Sequence, residues 1–180
     1  MATKTGLTVL DLANLEPPDG VKYELSKGDL ITVVGESKYL HEWVKWRVNE
    51  ILSEYARRER TGIIAAGSLF TLSDARARQP DLAFISNAKL RPVSSPDELI
   101  PFVPDLAIEV VSESDSIRDA ETKVREYFAA GVEEVWQVLP EHRAIHVRTK
   151  NAMRELSGDD MIETPVLPGF RVNVSEFFPQ

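Results

Sequence analysis

The sequence predicts an α/β fold in which a mixed β-sheet is flanked by α-helices. Apolar runs of strand length occur along the chain, and two longer segments with helical periodicity separate them. The length of 180 residues, with 43% hydrophobic and 28% charged residues, suits one ordinary globular core. We therefore expect a single domain that spans residues 1–180.

The amino-terminal region predicts a short helix followed by a β-hairpin. The helix is expected over Thr8 to Leu15, ahead of the turn-forming stretch Pro17-Pro18-Asp19-Gly20. Strands are expected at Lys22–Ser26 and Leu30–Val34, with Lys27-Gly28-Asp29 as the turn between them.

A long amphipathic helix is predicted next. Ser37 is a suitable N-cap, and the helical pattern continues to about Arg60. We interpret Trp43 and Trp46 as core or dimer-face residues rather than as a platform for base stacking. The apolar face consists of Leu40, Trp43, Val44, Val48, Ile51, Leu52 and Tyr55.

The middle of the chain predicts four strands and one long loop. Strands are expected at Ile63–Ala66, Leu69–Leu72, Asp81–Ser86 and Asp105–Val111. The segment from Asn87 to Pro104 contains four prolines and is expected to be a loop, of a length that is often functional.

The last third predicts a second helix and further strands. The helix is expected over Ser116 to Ala130, with Gly131 just past its end. A strand pair is expected at Glu134–Leu139 and Ala144–Arg148. Two more short strands and a final turn at residues 175–178 complete the prediction.

Composition excludes some function classes. The chain has no cysteine, so it has neither disulfides nor thiolate metal sites. No signal sequence and no apolar run of about 20 residues is visible, so we expect a cytoplasmic protein that does not bind membranes. The formal net charge of −8 argues against loose coating of DNA, although it is compatible with a cluster of catalytic carboxylates.

Two carboxylates stand in unusual places. Glu109 interrupts an apolar strand that is expected to be buried on both faces, and a buried carboxylate needs a cation, a metal or several donors. Asp81 opens another apolar strand directly after Pro80. Two carboxylates at the ends of neighbouring strands would form a hard-oxygen site suited to Mg²⁺ or Mn²⁺.

Lys123 is the candidate cation for this site. Asp119, Lys123 and Tyr127 recur every four residues and so share one face of the predicted helix. If that helix crosses the strand of Glu109, the ammonium group reaches the carboxylates. On the residues alone, a plain buried Glu109–Lys123 ion pair and a turn-capping Asp81 are an equally good interpretation.

A set of short motifs, weak singly but specific in their order and spacing, resembles the Uma family of endonucleases, a branch of the PD-(D/E)XK superfamily. The resemblance covers about residues 8 to 178. The motifs are Tyr23-Glu24-Leu25, Gln79-Pro80-Asp81, the stretch from Pro104 to Ser112, the Asp119, Lys123 and Tyr127 series, the stretch from Ala130 to Trp136, and Leu167-Pro168-Gly169-Phe170.

This resemblance implies a restriction-endonuclease-like fold and an Mg²⁺- or Mn²⁺-dependent DNA endonuclease that acts as a homodimer. It makes Asp81 the aspartate of the PD motif and Glu109 the acid of the (D/E)XK element. The third position of that element is Val111 instead of lysine, and the resemblance implies that Lys123 replaces it. The backbone carbonyl of Val110 or Val111 is the expected further metal ligand.

Other residues are accessory candidates. Glu24 is either a third acidic group of the site or, as we favour, a hairpin residue paired with a lysine or arginine. His41 is either a site residue or a helix-terminal histidine with a structural hydrogen bond. Tyr127 is expected to hold Lys123 in place. A phosphate-binding strip, or simply a solvated surface, is formed by Arg76, Arg78, Lys89, Arg91 and Arg118.

Two rival functions remain open at this point. One is a non-catalytic module that binds nucleic acid or protein on the same fold, because a fold does not fix a function. The other is a structural domain in which Glu109 and Lys123 form only an ion pair.

Overall fold

The computed structural model describes residues 5–34, 38–91, 99–112 and 115–179. Two 3-10 turns lie at Pro140–His142 and Val174–Phe177. The helices and strands, in chain order, are α1 (Val9–Ala13), β1 (Val21–Ser26), β2 (Asp29–Val34), α2 (Tyr39–Glu59), β3 (Gly62–Ala66), β4 (Phe70–Ser73), β5 (Arg76–Arg78), β6 (Leu82–Ser86), β7 (Leu106–Val110), α3 (Ile117–Ala130), β8 (Glu134–Leu139), β9 (Ala144–Thr149), β10 (Met153–Ser157), β11 (Met161–Thr164) and β12 (Leu167–Asn173).

The central sheet has six strands in the order β10-β9-β8-β7-β6-β3. Strands β7 and β8 are parallel, and the other neighbouring pairs are antiparallel. The helix α3 connects the two parallel strands, because a parallel pair needs a crossover connection. The predicted mixed sheet flanked by helices is therefore confirmed.

A smaller sheet has the strand order β2-β1-β5-β4. Leu12 of α1 packs on this sheet against Leu25 of β1 and Ala77 of β5. The hairpin of β1 and β2 pairs over its whole length, from Val21 opposite Val34 to Ser26 opposite Asp29. Glu24 of β1 and Arg78 of β5 contact Lys123 and Glu126 of α3, so this sheet meets the central sheet on the side of α3.

Helix α2 covers one face of the central sheet. Its fully buried residues Val44, Val48 and Leu52 pack with Leu106 and Ile108 of β7. Complete burial of an aliphatic side chain stabilises the fold by about 1.5–3 kcal/mol. The helix begins after Lys38, whereas Ser37, the predicted cap, lies outside the described residues.

Helix α3 covers the opposite face of the sheet. Val124 and Tyr127 pack with Ala83 and Ala107. The ends of the helix confirm the prediction: the side chain of Ser116 accepts a hydrogen bond from the Asp119 amide at the start. Gly131 follows the helix with φ of 100°, a left-handed conformation that glycine adopts at little cost.

The prediction was wrong at several elements. Helix α1 was expected over Thr8 to Leu15, but Thr8 is its N-cap and the helix ends at Ala13, so it is shorter. Strand β5 was missed, since it has only three residues and two of them are arginines. Three strands follow β9 instead of two. In the predicted long loop, Ile100 forms a parallel bridge with Phe70, whereas residues 92–98 lie outside the described residues.

Across the described part of the chain, no helix has the length and apolar character required to span a membrane.

Gly62 is a point of close approach between β3 and β6, and it provides a test of the sheet packing. A Cβ atom at this position would overlap the carbonyl oxygen of Ile85 and lie 2.8 Å from Cε2 of Phe84. We expect Gly62→Ala to reduce the free energy of unfolding by about 1–3 kcal/mol, the usual range for overpacking. Ile63→Thr, at the exposed neighbouring residue, should change it by less than about 0.5 kcal/mol in the same urea titration.

Candidate functional site

Strand register brings the two candidate carboxylates together. In the antiparallel pair β6–β7, Leu82 lies opposite Ile108. One further step along each strand places Asp81 opposite Glu109, and directly opposed residues project to the same side of a sheet. Both side chains line one cavity of about 330 Å³.

Asp81 is held at the edge of the cavity by backbone and by α2. Its Oδ2 atom accepts a hydrogen bond from the backbone amide of Val110 at 2.9 Å. The His41 Nε2 atom lies 3.8 Å from the same oxygen, and the Lys45 Nζ atom lies 3.6 Å from Oδ1. Helix α2 therefore directs two nitrogen-bearing side chains at this aspartate.

Glu109 is largely buried and is held by two residues of α3. Tyr127 donates a hydrogen bond from its hydroxyl to Oε1 at 2.7 Å, and Lys123 donates from Nζ to Oε2 at 3.3 Å. Burial raises the pKa of Glu109 to about 7, although the charge of Lys123 opposes that rise. The nearby negative charge of Asp81 contributes to this rise in the pKa, as expected for two carboxylates in one site.

Lys123 lies between two carboxylates. Its Nζ atom is 3.3 Å from Glu109 Oε2 and 3.4 Å from Glu24 Oε1. Burial lowers the pKa of Lys123, but the two carboxylates outweigh that effect and leave the pKa above its ordinary value. The helical spacing of α3 thus predicts the approach of Lys123 to Glu109 correctly.

Tyr127 has a different partner from the one expected. Its hydroxyl contacts Glu109, not Lys123, so it fixes the carboxylate directly. The four-residue spacing placed Lys123 and Tyr127 on one face, but it did not indicate that the Tyr127 hydroxyl bonds to Glu109.

Glu24 is in the cluster and is also an ion-pair residue, so both interpretations of this glutamate apply. Its Oε2 accepts a hydrogen bond from Arg78 at 2.7 Å, and its Oε1 accepts one from the backbone amide of Gln79 at 3.0 Å. These contacts attach strand β1 to the segment that carries Asp81.

Arg78 was wrongly predicted to contact phosphates. Only 3% of its side chain is exposed, and its Nε and Nη1 atoms donate to Glu126 and Glu24 at 2.7 Å each. The strand β5 places this guanidinium between β1 and α3, where it compensates two buried carboxylates. Such a residue is unavailable to a ligand in solution.

The rest of the predicted phosphate-binding strip does not assemble at the cavity. Arg76 lies 3.4 Å from Glu126, and Lys89 pairs at 3.0 Å with Asp105. Asp105 directly precedes β7, whereas Glu109 is near the other end of that strand. Arg91 donates to the carbonyl oxygens of nearby residues, and Arg118 is exposed on the first turn of α3.

His41 lies at the site and makes a hydrogen bond with the backbone there. Its Nε2 atom is 2.8 Å from the carbonyl oxygen of Val110. A carbonyl oxygen only accepts, so this contact requires a proton on Nε2. The Val110 carbonyl, a predicted metal ligand, is thus positioned at the cavity beside Asp81.

Sequence reasoning did not assign several polar residues that line the cavity to the site, among them Glu42, Lys45 and Gln79. The spacing of His41 and Lys45, four residues apart on one helix, was the available signal. It was not decisive, because the pattern of α2 alone does not say which polar residues face the sheet edge.

The donor set fits a small hard cation. Although the described residues contain no group of three or more His, Cys, Asp or Glu side chains arranged to hold a metal ion, Mg²⁺ is commonly held by only one or two carboxylates with water completing its shell. Asp81, Glu109 and the Val110 carbonyl offer oxygen atoms only. These residues are therefore compatible with Mg²⁺ or Mn²⁺.

The fold is that of a restriction-endonuclease-like domain. It is similar to the crystal structure of a "putative nuclease belonging to DUF820" from Anabaena variabilis, with a TM-score of 0.84 and 13% sequence identity. The similarity covers 95% of this chain and 97% of that one. No curated protein matches the chain.

The particular family follows from the sequence match. The model of the Uma2 family, described as "putative restriction endonuclease", matches residues 9–175, and the chain belongs to this family. The resemblance inferred from the short motifs is therefore confirmed.

The buried guanidinium of Arg78 gives a test of the charge cluster. We expect Arg78→Met to destabilise the protein by about 3–5 kcal/mol, because the change leaves Glu24 and Glu126 buried without their main cation. Adding Glu126→Gln should recover part of this loss in the double variant. Arg91→Met, at an exposed arginine, is the control, and equal urea denaturation curves for Arg78→Met and Arg91→Met would contradict this role.

Proposed function

We propose that the protein is a Mg²⁺-dependent endonuclease that hydrolyses phosphodiester bonds in DNA. The observation that carries the proposal is the grouping of Asp81 and Glu109 in one cavity, with Lys123 3.3 Å from Glu109. Membership of the Uma2 family supports a nuclease-like function and a nucleic-acid substrate.

Asp81, Glu109 and the carbonyl of Val110 would hold the cation. A bound Mg²⁺ supplies a Lewis acid for the phosphate and lowers the pKa of a bound water molecule. Asp81 uses Oδ2 to accept from the Val110 amide, so Oδ1 is the oxygen offered to the cavity. Tyr127 restrains Oε1 of Glu109 and so limits the rotation of this carboxylate.

Lys123 would stabilise charge that develops on the scissile phosphate. Its raised pKa keeps the side chain protonated, and its contacts with Glu109 and Glu24 fix the ammonium group in advance. A positioned charge of this kind needs no rearrangement during the reaction. Glu24 and Tyr127 then act as positioning residues for Lys123 and Glu109.

Two observations favour a non-catalytic binding module as the second candidate. Two carboxylates already compensate the charge of Lys123, and the chain carries a net charge of −8. Such a module would keep the fold and the charge cluster without cleaving DNA. Cleavage assays separate the two candidates.

We propose that the protein acts in the cytoplasm as a homodimer. Two copies would present two sites to the two strands of a duplex. Light scattering after size-exclusion chromatography would measure the oligomeric state.

Metal binding is testable without any substrate. We expect Mn²⁺ at about 100 times its Kd to stabilise the protein by about 2.7 kcal/mol, which corresponds to a rise in Tm of roughly 5–10 °C. The rise should disappear in Asp81→Asn and Glu109→Gln. Glu134→Gln should keep it, since this buried carboxylate is opposite Leu106 at the far end of β7. A rise that is unchanged in all three variants would place the ion elsewhere.

Cleavage is the direct test of activity. We expect slow, divalent-metal-dependent cleavage of plasmid or branched DNA that Asp81→Ala and Glu109→Ala abolish. Lys123→Ala should reduce the rate by roughly 10²–10³-fold, because one positioned charge is lost while the metal ligands remain. Gel assays with Mg²⁺, Mn²⁺ or chelator measure these rates. Equal cleavage by the Glu109→Ala protein would indicate a contaminating nuclease.

A further inference from the structure

We propose that Lys45 of α2 contacts a backbone phosphate of the nucleic-acid substrate. This inference rests on the proposed nuclease function and assigns a role to a residue that the PD-(D/E)XK pattern does not include. The cavity has lysines on two walls: Lys123 from α3 beside Glu109, and Lys45 from α2 beside Asp81. Their surroundings are different, and the difference separates their roles.

Lys123 is held tightly in its place. It donates a hydrogen bond to Glu109, and its second partner, Glu24, has only 2% of its side chain exposed. Arg78 and the Gln79 amide hold Glu24 in turn. Movement of Lys123 toward a ligand would leave buried carboxylates without their cation, which is costly.

Lys45 is held loosely. Its Nζ atom lies 3.6 Å from Asp81 Oδ1 and 3.9 Å from Glu42 Oε1, and both distances exceed hydrogen-bonding range. Glu42 has 50% of its side chain exposed, so water can solvate it when the lysine moves. Lys45 can therefore turn toward an incoming anion without breaking a buried hydrogen bond.

The charge of the cavity favours such a contact. Five carboxylates line it, from Glu24, Glu42, Asp81, Glu109 and Asp115, against three lysines, Lys22, Lys45 and Lys123. Without a bound cation, a phosphate diester that approaches this wall meets net negative charge, and the loosely held ammonium group next to Asp81 would offset the repulsion. Lysine suits this role because it binds phosphate as a compact point charge on a flexible stem.

The alternative is that Lys45 only neutralises Asp81. The two roles predict different salt dependence of binding. A lysine that contacts a phosphate contributes about 0.9 to the slope of log K against log salt on duplex DNA, whereas a lysine that only compensates a carboxylate contributes nothing to it.

The experiment measures the anisotropy of a fluorescent DNA duplex over a series of salt concentrations, with Ca²⁺ in place of Mg²⁺ and in chelator. The full-length wild type is compared with Lys45→Met, Lys45→Arg and Lys89→Met. Lys89 is the matched control, since its side chain is 29% exposed against 22% for Lys45 and it pairs with Asp105 beyond the other end of β7. Lys45→Gln provides a second neutral variant if Lys45→Met has a lower Tm than the wild type.

We expect the slope to fall by about 0.9 in Lys45→Met and to stay at the wild-type value in Lys45→Arg and Lys89→Met. The Mn²⁺ affinity of Lys45→Met, measured without DNA, should equal or exceed that of the wild type, because a cation beside Asp81 is gone. An unchanged slope in the neutral variants of a protein that binds DNA would overturn the role of Lys45 alone. Absence of DNA binding by the wild type would overturn the proposed function and this inference together.

Discussion

The compensation of one buried carboxylate organises the structure around the site. Glu109 lies in the central sheet, where burial alone disfavours its charge. The compensation continues outward as a series of alternating charges: Lys123 contacts Glu109 and Glu24, and Arg78 contacts Glu24 and Glu126. The series joins β7 to α3 and then to β1 and β5 of the smaller sheet. Loss of any member would leave a neighbouring buried charge with fewer partners, which is costly.

Local patterns in the sequence predicted most of the fold and part of the site. The ends of α3 follow from Ser116 and Gly131, whose preferences act within one turn of the helix. The approach of Lys123 to Glu109 follows from the helix that connects two parallel strands. Such features depend on neighbours close in the chain, so periodicity and capping residues are enough to find them.

The parts that were missed depend on partners far apart in the chain. Arg78 is separated by 54 residues from Glu24 and by 48 from Glu126, so nothing local distinguishes it from an exposed arginine. Strand β5 pairs with β1 at Leu25 and Ala77, and its three residues carry no alternation that would reveal it. Lys45 approaches Asp81 because α2 packs against β3 and β7, and this orientation is a property of packing.

The alternating charges also have a consequence for how the chain reaches its native state. The contacts of Glu24 with Arg78, Gln79 and Lys123 have large sequence separations, and contacts of this kind form late because they require long loops to close. A folding intermediate with the central sheet but without the smaller sheet would lack Glu24 and Arg78 near Lys123. The cluster is therefore complete only once both sheets have docked, so a partly folded chain does not present a finished site.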